Sequence, residues 1–299
     1  REAAAAQDDR LRKLSLAGFY DPERGFLDAT ARLTFAAPAA SRRLWLDEGL
    51  KLKSVRDDGG EVSGVVSEYG ELVAPGSASS ILEIGYSGWL KPQPDPFADP
   101  GSPLRPGQVV DPFSILSYVR DFYPHPGLDF TETRMDMRLP AGWNCLGSGT
   151  LRAQSNENGD TIFRLDNPLA KGMALVCGRF RRIADVSAPL PVTLYGWPGL
   201  DLKRYCRNGG IGRVLRFYHE RLGPLDVGEL NILLRRSQRP GGLSYSGLVV
   251  LGVVAAGRCG NRLSGRRTGS PAGCPCRSCC TRRGPRRRRR GCWRWRSAG

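Results

Sequence analysis

The chain predicts a mainly β protein: an N-terminal β-sandwich, a shorter unit of mixed helix and strand behind it, and a disordered tail. Three observations carry that prediction. Between Leu27 and Leu165 apolar residues recur at every second position, in short runs separated by turn residues. After Pro198 the spacing changes to that of helices. From Gly252 to Gly299 there is no Ile, Phe, Tyr, His, Lys, Asp or Glu, so no buried face can be built there. Four stretches follow: a lead-in at 1–24, the sandwich at 25–186, the mixed unit at 187–251 and the tail at 252–299.

Within the lead-in, Glu2 to Leu16 is alanine-rich and charged, with Leu11, Leu14 and Leu16 as its main apolar residues, and predicts a short peripheral helix. Strands then take over. Leu27, Ala29, Ala31, Leu33 and Phe35 alternate with Asp28, Thr30, Arg32 and Thr34, which puts one face on a core. Leu44, Leu46, Leu50, Leu52 and Val55 continue the pattern, Asp57-Asp58-Gly59-Gly60 supplies a turn, and Ile81 to Tyr86 is a further strand. Six of the sixteen residues from Lys91 to Pro106 are proline, so neither helix nor central strand fits there. Strands resume at Thr133 to Leu139, Thr161 to Leu165 and Met173 to Cys177, with a hairpin turn at Asn156 to Asp160. Leu202, Tyr205, Cys206, Ile211, Val214, Leu215, Tyr218 and Leu222 fit one or two helical faces, ended by Gly223-Pro224. A strand from Leu230 to Leu234 follows, then a turn at Arg239-Pro240-Gly241-Gly242 into an apolar strand from Leu243 to Leu251.

The formal charge of +16 belongs to the tail: fourteen of its residues are arginine, and removing them leaves 31 basic against 29 acidic residues, a net of +2. Residues 1–251 therefore give no reason to expect a nucleic-acid partner. The longest apolar run, Gly247 to Ala256, is far shorter than the roughly 20 residues that a membrane-spanning helix needs. No signal peptide is visible; the chain begins at Arg1 rather than Met, which leaves room for an upstream segment and for an address within it, so the compartment stays open.

The tail admits several readings. Its residues are largely those with G- and C-rich codons, as a GC-rich gene translated out of frame would give. Alternatively, Arg286 to Arg290 with Trp293, Arg294, Trp295 and Arg296 combine phosphate-pairing charge with aromatic faces, which would make the protein a β-sandwich adaptor with a nucleic-acid-binding tail. Cys274, Cys276, Cys279 and Cys280 offer four thiolates, although structural zinc sites usually join two separated cysteine hooks. Cys145, Cys177 and Cys206 are widely scattered and read as buried thiols rather than disulfide partners.

Several phrases, in order, resemble the aminopeptidase-N-type zinc peptidases, the gluzincin aminopeptidases, over roughly Gly25 to Leu251. Phe122-Tyr123-Pro124-His125-Pro126-Gly127-Leu128-Asp129 resembles the lead into that family's later sandwich strands. Leu139-Pro140-Ala141-Gly142-Trp143 with Gly147-Ser148-Gly149-Thr150-Leu151 resembles its next strand pair, and Gly178-Arg179-Phe180 the close of its N-terminal domain. Tyr218 to Pro224 is similar to the helix end before the first strands of a thermolysin-like catalytic domain, so the resemblance implies that residues 187–251 are the incomplete start of such a domain.

Pro240-Gly241-Gly242-Leu243-Ser244-Tyr245 stands where the family has a G-x-M-E-N strand, whose backbone pairs with a peptide substrate and whose glutamate grips the free amino group. The resemblance thus implies Gly241, Gly242, Leu243, Ser244 and Tyr245 as substrate-binding residues; on the residues alone, Gly241-Gly242 reads as a turn before a buried strand. Ser244 replaces the glutamate, and a neutral hydroxyl cannot pair with an ammonium group as a carboxylate does. Zinc is the cofactor implied for an intact member, held by H-E-x-x-H on a helix and a later glutamate. This chain has two histidines, His125 and His219, and the residue four beyond His219 is Gly223. No catalytic or metal residue is therefore assigned, no cofactor is expected in this chain, and an inactive fragment is expected. His219 reads as part of a helix end and His125, between two prolines, as a loop residue. A reading-frame shift near Gly252 accounts for the tail standing where the zinc helix belongs.

Overall fold

The computed structural model describes residues 10–63, 65–77, 79–90, 113–117, 121–127, 130–186, 188–197, 210–224, 227–237 and 241–254. The expectations for Glu2 to Asp9, for the proline-rich stretch, for Leu202 to Cys206, for Arg239-Pro240 and for the tail beyond Val254 fall outside these residues.

The chain first forms β1 (Leu11–Asp21), β2 (Phe26–Phe35), β3 (Ala39–Trp45), β4 (Leu50–Asp57), β5 (Gly60–Glu61), β6 (Val66–Glu68), β7 (Glu71–Ser77) and β8 (Ile81–Trp89). Next come β9 (Phe113–Ser117), β10 (Phe130–Pro140), β11 (Asn144–Gly147), β12 (Thr150–Glu157), β13 (Asp160–Lys171), β14 (Ala174–Gly178), β15 (Arg181–Val186) and β16 (Val192–Gly196). Helix α1 (Gly210–Leu222) then precedes β17 (Leu230–Ser237), β18 (Gly241–Tyr245) and β19 (Leu248–Val254).

An eight-stranded sheet, ordered β12-β13-β10-β1-β2-β8-β4-β5, faces two three-stranded sheets, β3-β7-β6 and β11-β14-β9. Strand β2 shows how the sequence builds it. Leu27, Ala29, Ala31, Leu33 and Phe35 turn inward, while outside Asp28 meets Lys53 at 2.9 Å and Arg32 meets Glu83 at 3.7 Å. Leu33, Ile84 and Met137 of the large sheet share one core with Leu44 and Leu72 of one small sheet and Leu175 and Cys177 of the other. The molecule is thus mainly β, with a β-sandwich as its N-terminal part.

A second sheet is stacked behind. Strands β15-β16-β17-β19-β18 form it, and it closes over the far face of the β11-β14-β9 sheet. Every residue of β14 is buried because both of its faces are covered: Leu175 and Cys177 enter the first core, whereas Val176 points at Phe180, Trp197, Leu233, Leu248 and Val250. Strands β16 and β17 run parallel and so need a crossover, which contains α1. The helix lays Ile211 and Leu215 on Val192, Leu194, Leu230, Ile232 and Leu234. It stops at Gly223, whose φ of 85° suits a left-handed cap and whose N–H donates to the His219 carbonyl at 3.0 Å.

Three expectations are corrected. Leu11 to Leu16, read as the end of a helix, is the first half of β1, which lies between β10 and β2 inside the large sheet. The register against β2 shifts between Leu11 and Lys13, and this bulge turns Leu11 and Leu14 the same way at a spacing that imitates a helix. Leu243 to Leu251, read as one strand after a glycine turn, is a hairpin that turns at Ser246-Gly247, where Gly247 has a φ of 75°, and Gly241-Gly242 lies within its first strand. Cys145 and Cys177, read as separate thiols, are directly opposed on β11 and β14 and joined as a disulfide, with Cα atoms 4.2 Å apart. Strand β15 pairs antiparallel with β16 in the five-stranded sheet.

Candidate functional site

Strand β18 ends the five-stranded sheet. Among the described residues it is paired on one side only, antiparallel to β19, with Gly241 opposite Gly252, Leu243 opposite Val250 and Tyr245 opposite Leu248. In such a ladder alternate residues direct their N–H and C=O groups away from the partner, so the outer rim of β18 offers a template for another extended chain. Leu243 and Tyr245 pack against the cluster of Leu233, Leu248 and Val250, which fixes the face of the strand. Gly242 and Ser244 lie on the opposite face, and Ser244 is exposed.

The two glycines differ. A Cβ on Gly241 would meet nothing within 4 Å, whereas one on Gly242 would come within 3.1 Å of Leu251 Cδ2 and 3.3 Å of the Val250 carbonyl. Gly242 therefore accommodates the packing of β19, and Gly241 has no described neighbour over its face of the strand.

The turn that closes this hairpin is clamped to the sandwich. Gly149 N–H donates to the Ser246 carbonyl at 3.1 Å, and Asn231 N–H donates to the Gly247 carbonyl at 2.8 Å. Glu229 Oε1 accepts from Leu151 N–H and from Asn231 Nδ2, both at 3.2 Å. The Gly147-to-Leu151 phrase thus ties the sandwich to the candidate strand. Sequence reasoning missed Glu229, whose one visible distinction is that no acidic residue follows it.

The five sequence-predicted residues Gly241, Gly242, Leu243, Ser244 and Tyr245 therefore fall together on one edge. The two histidines do not join them. His125 is buried beside the Tyr123 ring; its backbone pairs with Trp45 and its Nε2 lies 2.8 Å from Asp121 Oδ1. His219 lies on α1, one turn before Gly223. Among the described residues no three His, Cys, Asp or Glu side chains gather as a metal-holding group. The described residues thus do not fit a zinc centre of the H-E-x-x-H kind, since one histidine is taken up in packing and the other has no second ligand a turn away.

No protein-family model and no curated protein matches the sequence. Solved structures do. A mutant of the M1 zinc metallopeptidase from Deinococcus radiodurans, bound to a Tyr-Ser-Ala substrate, superposes with a TM-score of 0.64 at 20% identity, covering 83% of this chain and 60% of that one. A two-domain M1 zinc metallopeptidase mutant bound to L-arginine matches with a TM-score of 0.64 at 20% identity, over 80% of this chain and 59% of that one. The Deinococcus radiodurans enzyme without a stated mutation gives 0.63 at 19% identity, over 81% and 60%. This chain thus spans about 60% of the length of those structures. At such identities the likeness is one of fold: over most of its length, this chain folds as the M1 zinc metallopeptidases do.

Proposed function

We propose that this chain is a non-hydrolytic fragment of an aminopeptidase-type protein, which receives an extended peptide along β18 without cleaving it. The observation that supports the reading is that, among the described residues, β18 is paired on one side only and nothing crowds Gly241. Residues 187–251 serve in this reading as the incomplete start of a thermolysin-like domain, and peptide enters as the ligand by analogy with the bound Tyr-Ser-Ala of the similar structure. Zinc belongs to an intact member. It would polarise the scissile carbonyl and activate a water there, but this chain's two histidines do not supply the ligand pair.

Hydrolysis of aminoacyl amides by the purified chain, with zinc added, tests the absence of cleavage. No turnover is expected; turnover lost on chelation and restored by zinc would refute the reading. Gly252 to Val254 complete β19, so it is the tail beyond Val254 that is proposed as an out-of-frame translation, on its composition. Reading the nucleotides for Val250 to Gly299 in the other two frames tests that: H-E-x-x-H in one of them supports it, and its absence from both overturns it.

A further inference from the structure

Helix α1 has two unlike sides. Ile211 and Leu215 lie on the strands beneath, whereas Val214, Phe217, Tyr218 and Leu222 stay 54%, 53%, 50% and 77% exposed. Phe217 follows Leu215 by two residues, about 200° around the helix, so it stands on the crest of the outer side. Arg213 and Arg221 flank it one turn before and one turn after, and the Arg221 guanidinium lies 5.6 Å from its ring centroid. Arg216 is exposed as well, and Glu220 is the one acidic residue of the helix.

These cations differ from those of the sandwich. There the exposed Arg32, Arg138, Arg152 and Arg164 each meet a carboxylate on a neighbouring strand. Among the described residues Arg213, Arg216 and Arg221 form no ion pair. A crest that mixes exposed apolar side chains with uncompensated guanidiniums fits a partner whose anionic groups lie just outside an apolar layer. A bilayer surface has that order, with phosphates above acyl chains, and it moulds itself to a convex helix, whereas a protein needs a groove shaped to the crest. We infer that the outer side of α1 docks on an anionic lipid surface, with Phe217 and Leu222 at the acyl boundary and the three arginines on lipid phosphates. The contact is peripheral, since a helix of 13 residues is too short to span. It is independent of the peptide reading of β18.

Photolabelling of the full chain tests it, on vesicles of phosphatidylcholine and phosphatidylserine that carry a trace of lipid with a diazirine in its acyl chain. The arginine-rich tail can itself hold the protein to such vesicles, so the readout is the position of the adducts by mass spectrometry rather than bulk binding. Adducts should gather on Val214, Phe217, Tyr218 and Leu222, exceed those on the comparably exposed Trp89 and Phe130 several-fold, and fall when salt is raised or phosphatidylserine is left out. Joint Arg213→Gln and Arg216→Gln, both exposed, should lower labelling of α1 by on the order of tenfold with Tm unchanged. Labelling that misses α1, that is equal on α1, Trp89 and Phe130, or that ignores loss of the arginines would overturn the inference. A dimer in sedimentation with α1 unlabelled would also overturn it, and would give this face to a second copy.

Discussion

Replacing Gly241 and Gly242 in turn by alanine separates an edge strand from the turn that the residues suggest. Neither glycine has a positive φ, so both backbones accept an L side chain without strain. Under that condition Gly→Ala gains about 0.4–1 kcal/mol by restricting the unfolded chain. Gly241→Ala should show that full gain, because its new methyl meets nothing within 4 Å among the described residues. Gly242→Ala should not, because its methyl lies 3.1 Å from Leu251 Cδ2, which can rotate, and 3.3 Å from the Val250 carbonyl, which is fixed by β19. Crowding of that order costs about 1 kcal/mol or more and cancels the entropic gain. The two variants should differ by about 1–2 kcal/mol, or ~2–8 °C in Tm for a domain of this size. Differential scanning fluorimetry reads the difference. Equal effects, or destabilisation by Gly241→Ala, would refute the placement of this pair within a strand that is open on one side.

Three further outcomes follow from the packing. Joint replacement of Cys145 and Cys177 by alanine removes a link between residues 32 apart, which should cost about 3–4 kcal/mol in denaturant unfolding through the freed unfolded chain; an unchanged midpoint would contradict the bond. Burial, and next the neighbouring Tyr123, holds the Tyr86 phenol well above the ordinary tyrosine range, so its ionisation favours the unfolded state. That stability is complete below the unfolded value of about 10 and falls by up to about 1.4 kcal/mol per pH unit above it, until the folded group titrates. Tyr86→Phe should flatten this part of the alkaline slope, and a slope unaltered by the change would refute the assignment. Glu229→Ala should lose about 1–2 kcal/mol by leaving Leu151 N–H without its acceptor, whereas Glu229→Gln keeps an Oε1 and should lose less; equal losses would deny Glu229 this role.

Much of the fold is legible wherever one face of a strand is wet. In β2 and β10 the alternation is unbroken because the outer face carries pairs such as Lys13 with Glu132 and Arg138 with Asp160. It fails at β1, where a bulge changes the spacing of Leu11 and Leu14. It fails again between Leu243 and Leu251, where the apolar run hides the turn and Ser246-Gly247 is the only local sign. The disulfide and the Glu229 joint are products of register between distant strands, which local patterning does not encode. The five site residues could be grouped in advance because they are consecutive; their setting on an outer edge depends on the β17–β19 pairing that precedes it in the sheet.

The central claim is that β18 receives a peptide and leaves it whole. Amide hydrogen exchange across Gly241–Tyr245, followed by mass spectrometry with and without saturating Tyr-Ser-Ala peptide, tests it most directly when the peptide is recovered from the same sample. The account predicts slowed exchange in this segment and intact peptide. Unchanged exchange there, or peptide recovered as fragments whose formation needs zinc, would contradict it.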